Sequence, residues 1–178
     1  MKYRRAILPG GTFFFTLVTQ DRRPQFTDPE SIDCLREAFR AVKKKRPFRI
    51  DAIVIMPDHL HCIWTLPGDD ADYSLRWRLV KTWVTKHWPR PLPTPANPAR
   101  CARGERALWQ HRYWEHVIRD EEDFSRHVDY IHYNPVKHGY VDAVADWPYS
   151  SFLRFVDAGL YPRDWACKDE VLEGVGHE

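Results

Sequence analysis

Residues 56–62 read MPDHLHC and set His59 and His61 one residue apart, just after the apolar run IDAIVI that only Asp51 interrupts. Side chains on a strand alternate between faces, so the two imidazoles point one way while Leu60 and Cys62 point the other. Neutral imidazole is a common ligand for divalent cations, which makes the pair a candidate half of a metal site. The plainer reading is two hydrogen-bonded histidines on a half-exposed strand. A second group lies in HVDYIHYNP, residues 127–135. At about 100° per residue, Phe124, Val128 and Ile131 fall on one helix face, which must be the buried one. His127, Tyr130 and Asn134 run along one edge of that face, with Tyr130 and Asn134 a single turn apart. Tyr133 lies opposite, beside Arg126, Asp129 and Lys137. Pro135 disfavours helical geometry at Asn134, so the helix is expected to fray there and let the amide turn toward a ligand. Two imidazoles, an amide oxygen and a phenol suit the cleavage of a phosphodiester. Taken singly, Tyr130 is also readable as a packed boundary tyrosine, and His127 as a surface histidine rather than a proton carrier.

The elements that would position these groups follow from the same kind of reading. TFFFTLVTQ, after the Gly10-Gly11 pair, is β-branched and aromatic and predicts a strand. In SIDCLREAFRAVKKKR, apolar residues at 32, 35, 39 and 42 keep helical spacing; Ser31 is the expected N-cap and Pro47 the stop. FRIDAIVIM and HLHCIWTL predict two strands joined by a tight turn at Pro57-Asp58. SLRWRLVKTWVTKHW predicts a second helix capped by Ser74 and ending before Pro89. PRPLPTPANPARCARGER, within 89–106, is expected to be an exposed mobile loop. LWQHRYWEHVI has room for a short strand, EEDFSRHVDYIHY for the tyrosine helix, and a short helical piece begins near WPYSSFLRF. Strand, helix, hairpin, helix, strand predicts an α+β fold: a ferredoxin-like βαββαβ antiparallel sheet with helices on one face, the histidine strand central, and an extra C-terminal helical segment.

Composition bounds the rest. A chain of 178 residues, 43% hydrophobic and 29% charged, is one globular domain able to bury a core. No apolar run reaches the roughly 18 residues of a membrane span and MKYRR opens no signal peptide, so a cytoplasmic protein is expected. Four cysteines at 34, 62, 101 and 167, without CxxC spacing, read as reduced and mostly buried thiols. Net charge is only +2, yet Lys and Arg gather at 2–5, 21–23, 43–49 and 76–81, a mild pointer to phosphate.

HLH followed by DYIHYNPVKHG and DWPYSS resembles the single-tyrosine HUH transposases, and more narrowly the REP-associated tyrosine transposases of bacteria. The resemblance runs over roughly residues 3–165, through YRR…GGTFFFT, KKKRPFRIDAIVIMPDHLHCIWTLP, SLRWRLVK and DWPYSSFLRFVDAGLYPRDWA. It implies one transposase domain over 1–165; the 89–106 stretch, which looks like an insertion, and the tail over 166–178 depart from the family pattern. It implies nicking of single-stranded DNA through a 5′-phosphotyrosine link, with Tyr130 as nucleophile. His59 and His61 would bind Mg²⁺ or Mn²⁺, with Asn134 as the third ligand. The expected partner is a REP-type palindromic hairpin bearing a short guide tetranucleotide, and the expected state is a monomer. Arg4, Arg5, Arg22 and Arg23 are candidates for the foot of the hairpin and its backbone. Arg78 and Lys81, one turn apart near Trp77 and Trp83, are candidates for phosphate, whereas Trp83 and Trp88 read better as core than as stacking platforms.

Three other readings stay open at this stage. An RNA-binding module on the same sheet would expose aromatics on central strands, for which TFFFT is the candidate. A zinc hydrolase built on H-x-H needs a third strong ligand and a water. A domesticated DNA-binding protein would have lost its chemistry.

Overall fold

The computed structural model describes residues 7–92, 99, 102 and 106–165. Arg4 and Arg5, most of the 89–106 stretch and the tail over 166–178 lie outside the described residues.

Four strands form one antiparallel sheet: β1 (Thr12–Val18), β2 (Arg49–Ile55), β3 (His59–Thr65) and β4 (Trp114–Val117), in the order β2-β3-β1-β4. This is the ferredoxin-like order, and β3 is central as expected. The register pairs Thr16 with His61 and Val18 with His59, so the histidine face of β3 continues onto β1. Segment 149–151 extends the β2 edge: Ile55 N–H donates to the Tyr149 carbonyl at 2.9 Å, and Ser151 N–H to that of Ile53 at 2.8 Å. A free strand edge is thereby partly covered.

Alternation divides the interior in two. Phe13, Phe15, Leu60, Cys62 and Trp64 face helices α1 (Pro29–Lys45) and α2 (Tyr73–His87), which meet them with Leu35, Phe39, Trp77 and Val80. The opposite face of the sheet, with Phe14, Ala52, Val54 and Ile63, is covered by α3 (Glu121–Lys137) through Val128, Tyr130 and Ile131. The tyrosine helix thus lies across the sheet from α1 and α2. A short α4 (Phe152–Asp157) packs beside it, with Phe155 against the same cluster.

The helix starts differ from expectation for one reason. Asp28 caps α1 by accepting Ser31 N–H at 2.9 Å, with Pro29 in the first turn, so Ser31 is inside the helix. Asp72 caps α2 by accepting Leu75 N–H at 2.9 Å, so Ser74 is likewise inside. A carboxylate fills the cap role of serine and adds a favourable charge at the positive helix end. The predicted fraying at Asn134 does not occur. α3 continues to Lys137 with Pro135 inside it and closes at Gly139, whose φ of 70° turns the chain out. Burial of both Asn134 and Pro135 outweighs the hydrogen bond that proline forfeits.

His132 is fully buried on α3, its Nε2 3.0 Å from Ser151 Oγ, which in turn donates to the Ile53 carbonyl at 3.2 Å. Burial pushes its imidazole down to about 3 from 6.5. The unfolded chain therefore takes up a proton that the native one refuses, and the stability contribution present above pH 6.5 is lost as pH falls toward 3. In urea titrations between pH 6 and 4, the stability of His132→Gln should fall less steeply than wild type, by up to about 1.4 kcal/mol per pH unit.

Candidate active site

His59 and His61 stand on one face of β3, 1% and 0% exposed, with ring centroids 4.9 Å apart. Each ring is held through Nδ1. Asp58 Oδ1 accepts from His59 Nδ1 at 2.6 Å, and Thr16 Oγ1 lies 2.8 Å from His61 Nδ1. An imidazole fixed at Nδ1 presents Nε2 for coordination, the usual outer arrangement of a metal-bound histidine. His59 Nε2 faces Asn134 Oδ1 at 3.2 Å. Asn134 is fully buried and helical, so its amide reaches the strand from the ordinary helix surface rather than from a frayed end.

Tyr130 is 1% exposed, and its ring meets His61 edge-on at 5.1 Å. Phe14 fits between the two elements, 5.5 Å from His61 and 6.0 Å from Tyr130. The structure thus brings His59, His61, Tyr130 and Asn134 together in one place. Tyr133, on the other side of α3, is half-buried and outside this group. Lys137, expected beside Tyr133, instead sets its ammonium over the Tyr130 ring, 4.9 Å from the centroid. Its cation therefore borders the phenol.

Two imidazole nitrogens and an amide oxygen on rigid elements make a donor set that fits a divalent cation and leaves positions open for phosphate and water. Asp58 is a support the residue types alone did not single out, although it directly precedes His59. Burial works to raise its carboxyl, but the hydrogen bond from His59 and the Arg22 guanidinium prevail and hold it below the usual range. Thr16 was invisible to sequence reasoning, because only the β1–β3 register sets it opposite His61. Asp58→Asn should weaken Mn²⁺ binding by roughly 10–100-fold in a calorimetric titration, with little change in the fold.

The candidate nucleic-acid contacts divide. Arg22 donates to Asp58 Oδ2 at 3.1 Å and so braces the histidine support, while Arg23 sits 3.8 Å from Asp21. Arg78 is exposed on α2, but Lys81 is bound to the Gln110 carbonyl at 2.7 Å. Arg76, in the same basic stretch, is buried and bonds Asp70 and the Pro47 carbonyl. Trp77 is fully buried, stacked on Trp64 at 3.9 Å, so it is core rather than a stacking platform. Trp88 is buried as well, and Trp83 packs against the same cluster.

A further group, His116, Asp123 and His127, brings its potential ligand atoms within 4.8 Å of one another. His127 is buried, contrary to the surface reading, and its Nδ1 donates to the Asp123 carbonyl at 2.7 Å. Burial lowers its pKa. The Asp123 carboxylate already takes His116 Nε2 and Arg119 Nε, each at 2.9 Å; burial opposes its ionisation, yet these partners hold it well below the usual range. The His116 and His127 rings stack 4.6 Å apart at 15°. The group ties β4 to the first turns of α3. Neither His59 nor His61 takes part in it, so the third strong ligand that a zinc hydrolase requires is not supplied here.

The fold and the tyrosine–histidine arrangement match what the sequence resemblance implied, and comparison with known proteins shows that the chain is a transposase of the IS200-like family. The family model described as "Transposase IS200 like" matches residues 11–134. More narrowly, the chain belongs to the REP-associated tyrosine transposases. It is 47% identical over 165 residues to the REP-associated tyrosine transposase of Escherichia coli (strain K12), covering 93% of this chain and 90% of that one. A Haemophilus influenzae relative carrying the same group name is 45% identical over 163 residues, 92% of each chain. A solved REP-associated tyrosine transposase bound to a REP hairpin superposes with a TM-score of 0.79 at 46% identity, over 94% of this chain and 92% of that one. The group consists of DNA-cleaving enzymes, and the family generally depends on a metal ion. Among the described residues, no helix is long and apolar enough to cross a membrane.

Proposed function

We propose that this protein binds REP-type hairpin DNA and nicks an adjoining single strand by transesterification. The observation that carries this reading is the edge-on meeting of Tyr130 and His61 at 5.1 Å, which joins a nucleophile to a candidate phosphate-activating centre. The Tyr130 oxygen attacks phosphorus, an aryl phosphodiester forms, and the P–O3′ bond breaks. The phenol proton departs, and the released oxygen becomes a 3′-hydroxyl. Because an aryl oxide is a good leaving group, the same hydroxyl can return and reseal the strand without ATP.

His59 Nε2, His61 Nε2 and Asn134 Oδ1 would hold a divalent ion, Mg²⁺ or Mn²⁺, which when bound polarises a non-bridging phosphate oxygen. Imidazole donors favour Mn²⁺ by softness. Thr16 and Asp58 keep the two rings oriented, and Lys137 brings positive charge to the edge where the phosphate must lie. Tyr130 meets the histidine pair of its own chain, so the site is complete in one copy, which supports a monomer.

The RNA-binding alternative lacks its platform, since Phe13, Phe14 and Phe15 are all 0% exposed. Incubating the protein and Mn²⁺ with a REP-type hairpin carrying unpaired flanks should give a DNA–protein adduct that survives detergent. A single-stranded product of unchanged length, with no adduct, would refute the reading.

A further inference from the structure

On the far side of the sheet from Tyr130, a groove of about 310 Å³ runs between α1 and the β2 edge. One wall is a stripe of cations, Arg36, Arg40 and Lys43, at helical spacing on α1. The floor is apolar, made of Ile50 and Ile53, and Tyr149 closes the other wall. The groove belongs neither to the histidine–tyrosine site nor to the candidate contacts at Arg22, Arg23, Arg78 and Lys81.

We infer that this groove binds an unpaired DNA flank of the hairpin substrate, its phosphates along α1 and its bases on the floor. The inference rests on the hairpin-nicking reading above. Charge complementarity selects the occupant. Arg36 to Lys43 spans about 10 Å of helix axis, with the cations on one side and little but apolar surface on the other. A charged wall tracking the backbone beside a surface for bases is the general plan of single-strand binding sites. A duplex hides its base faces and cannot use the floor.

The partners that these cations now have do not bar the exchange. Arg36 pairs with Asp33 at 3.2 Å and Arg40 with Glu37, all on solvent-exposed side chains. Exposed pairs of this kind contribute little and give way readily to phosphate. Position also fits. The Ile55 end of β2 leads through Met56, Pro57 and Asp58 directly into His59, where Met56 N–H and the His59 carbonyl close the turn at 2.8 Å. α1 runs antiparallel to β2, so Arg36 marks the end of the groove near this turn and Lys43 the end away from it. A strand leaving the active site around the turn enters the groove at Arg36.

The test compares the full chain with the triple variant Arg36→Ala, Arg40→Ala, Lys43→Ala. Each binds two fluorescent oligonucleotides, a REP-type hairpin alone and the same hairpin with an unpaired flank, over a range of salt. For wild type, the flank should tighten binding at least tenfold. The variant should lose most of that gain, bind the bare hairpin as wild type does, and show a salt slope for the flanked substrate smaller by about 2. A variant keeping the full flank gain overturns the inference. So does wild type that binds both hairpins equally, even with normal hairpin affinity. Wild type that binds no hairpin overturns the parent reading instead. A flank base carrying a photo-crosslinker should join to Tyr149 or Ile53, and labelling confined to the α3 face overturns the groove assignment independently.

Discussion

Tyr130→Phe should leave a folded protein that binds hairpin DNA and forms no covalent adduct. The ring is buried against Phe14, His61 and the Lys137 ammonium, and phenylalanine keeps that packing. Only the oxygen is lost. Loss of a buried hydroxyl costs stability on the order of 1 kcal/mol, whereas loss of a nucleophile lowers the rate by a factor on the order of 10⁴ or more. Tyr133→Phe should retain most of the activity. For Tyr133 to reach His61, α3 would have to roll and expose Val128 and Ile131, at roughly 1.5–3 kcal/mol each. Mass spectrometry of a trapped adduct checks this, and a nucleotide on Tyr133 would refute the assignment.

His61→Gln should abolish nicking while hairpin affinity stays within about threefold. The imidazole is fully buried, fixed by Thr16 and directed toward the tyrosine. A Lewis acid at a phosphoryl oxygen supplies several kcal/mol, so its loss corresponds to at least about a thousandfold in rate. Manganese binding, followed by electron paramagnetic resonance, should weaken in parallel, a readout independent of turnover. Replacing both His59 and His61 with undiminished nicking would remove the metal from the mechanism.

Much of this site could be read from periodicity. A two-residue repeat placed His59 and His61 on one face, and the helical repeat separated Tyr130 from Tyr133, because both depend on local geometry alone. The ferredoxin-like strand order followed from the sequence of elements. Contacts that depend on register between distant segments were not legible. Thr16 opposite His61 requires the β1–β3 pairing, and His116 against Asp123 requires knowing where β4 meets α3. The helix caps were misread because Ser31 and Ser74 each stand near an aspartate that caps better. Pro135 was misread because its local cost was visible and its burial was not.

The division of the interior by the sheet has a dynamic consequence. α1 and α2 share the larger cluster, around Phe15, Trp64 and Trp77, whereas α3 rests on the smaller one through Val128, Tyr130 and Ile131. Opening of α3 alone exposes only that second cluster, so its free energy lies below that of global unfolding. Amide hydrogens of α3 should then exchange with solvent by a partial opening that leaves those of β1 and β3 protected. The nucleophile and Asn134 ride on that same helix. Each such opening carries both away from the strand histidines together, and once a strand is joined to Tyr130, its DNA travels with them.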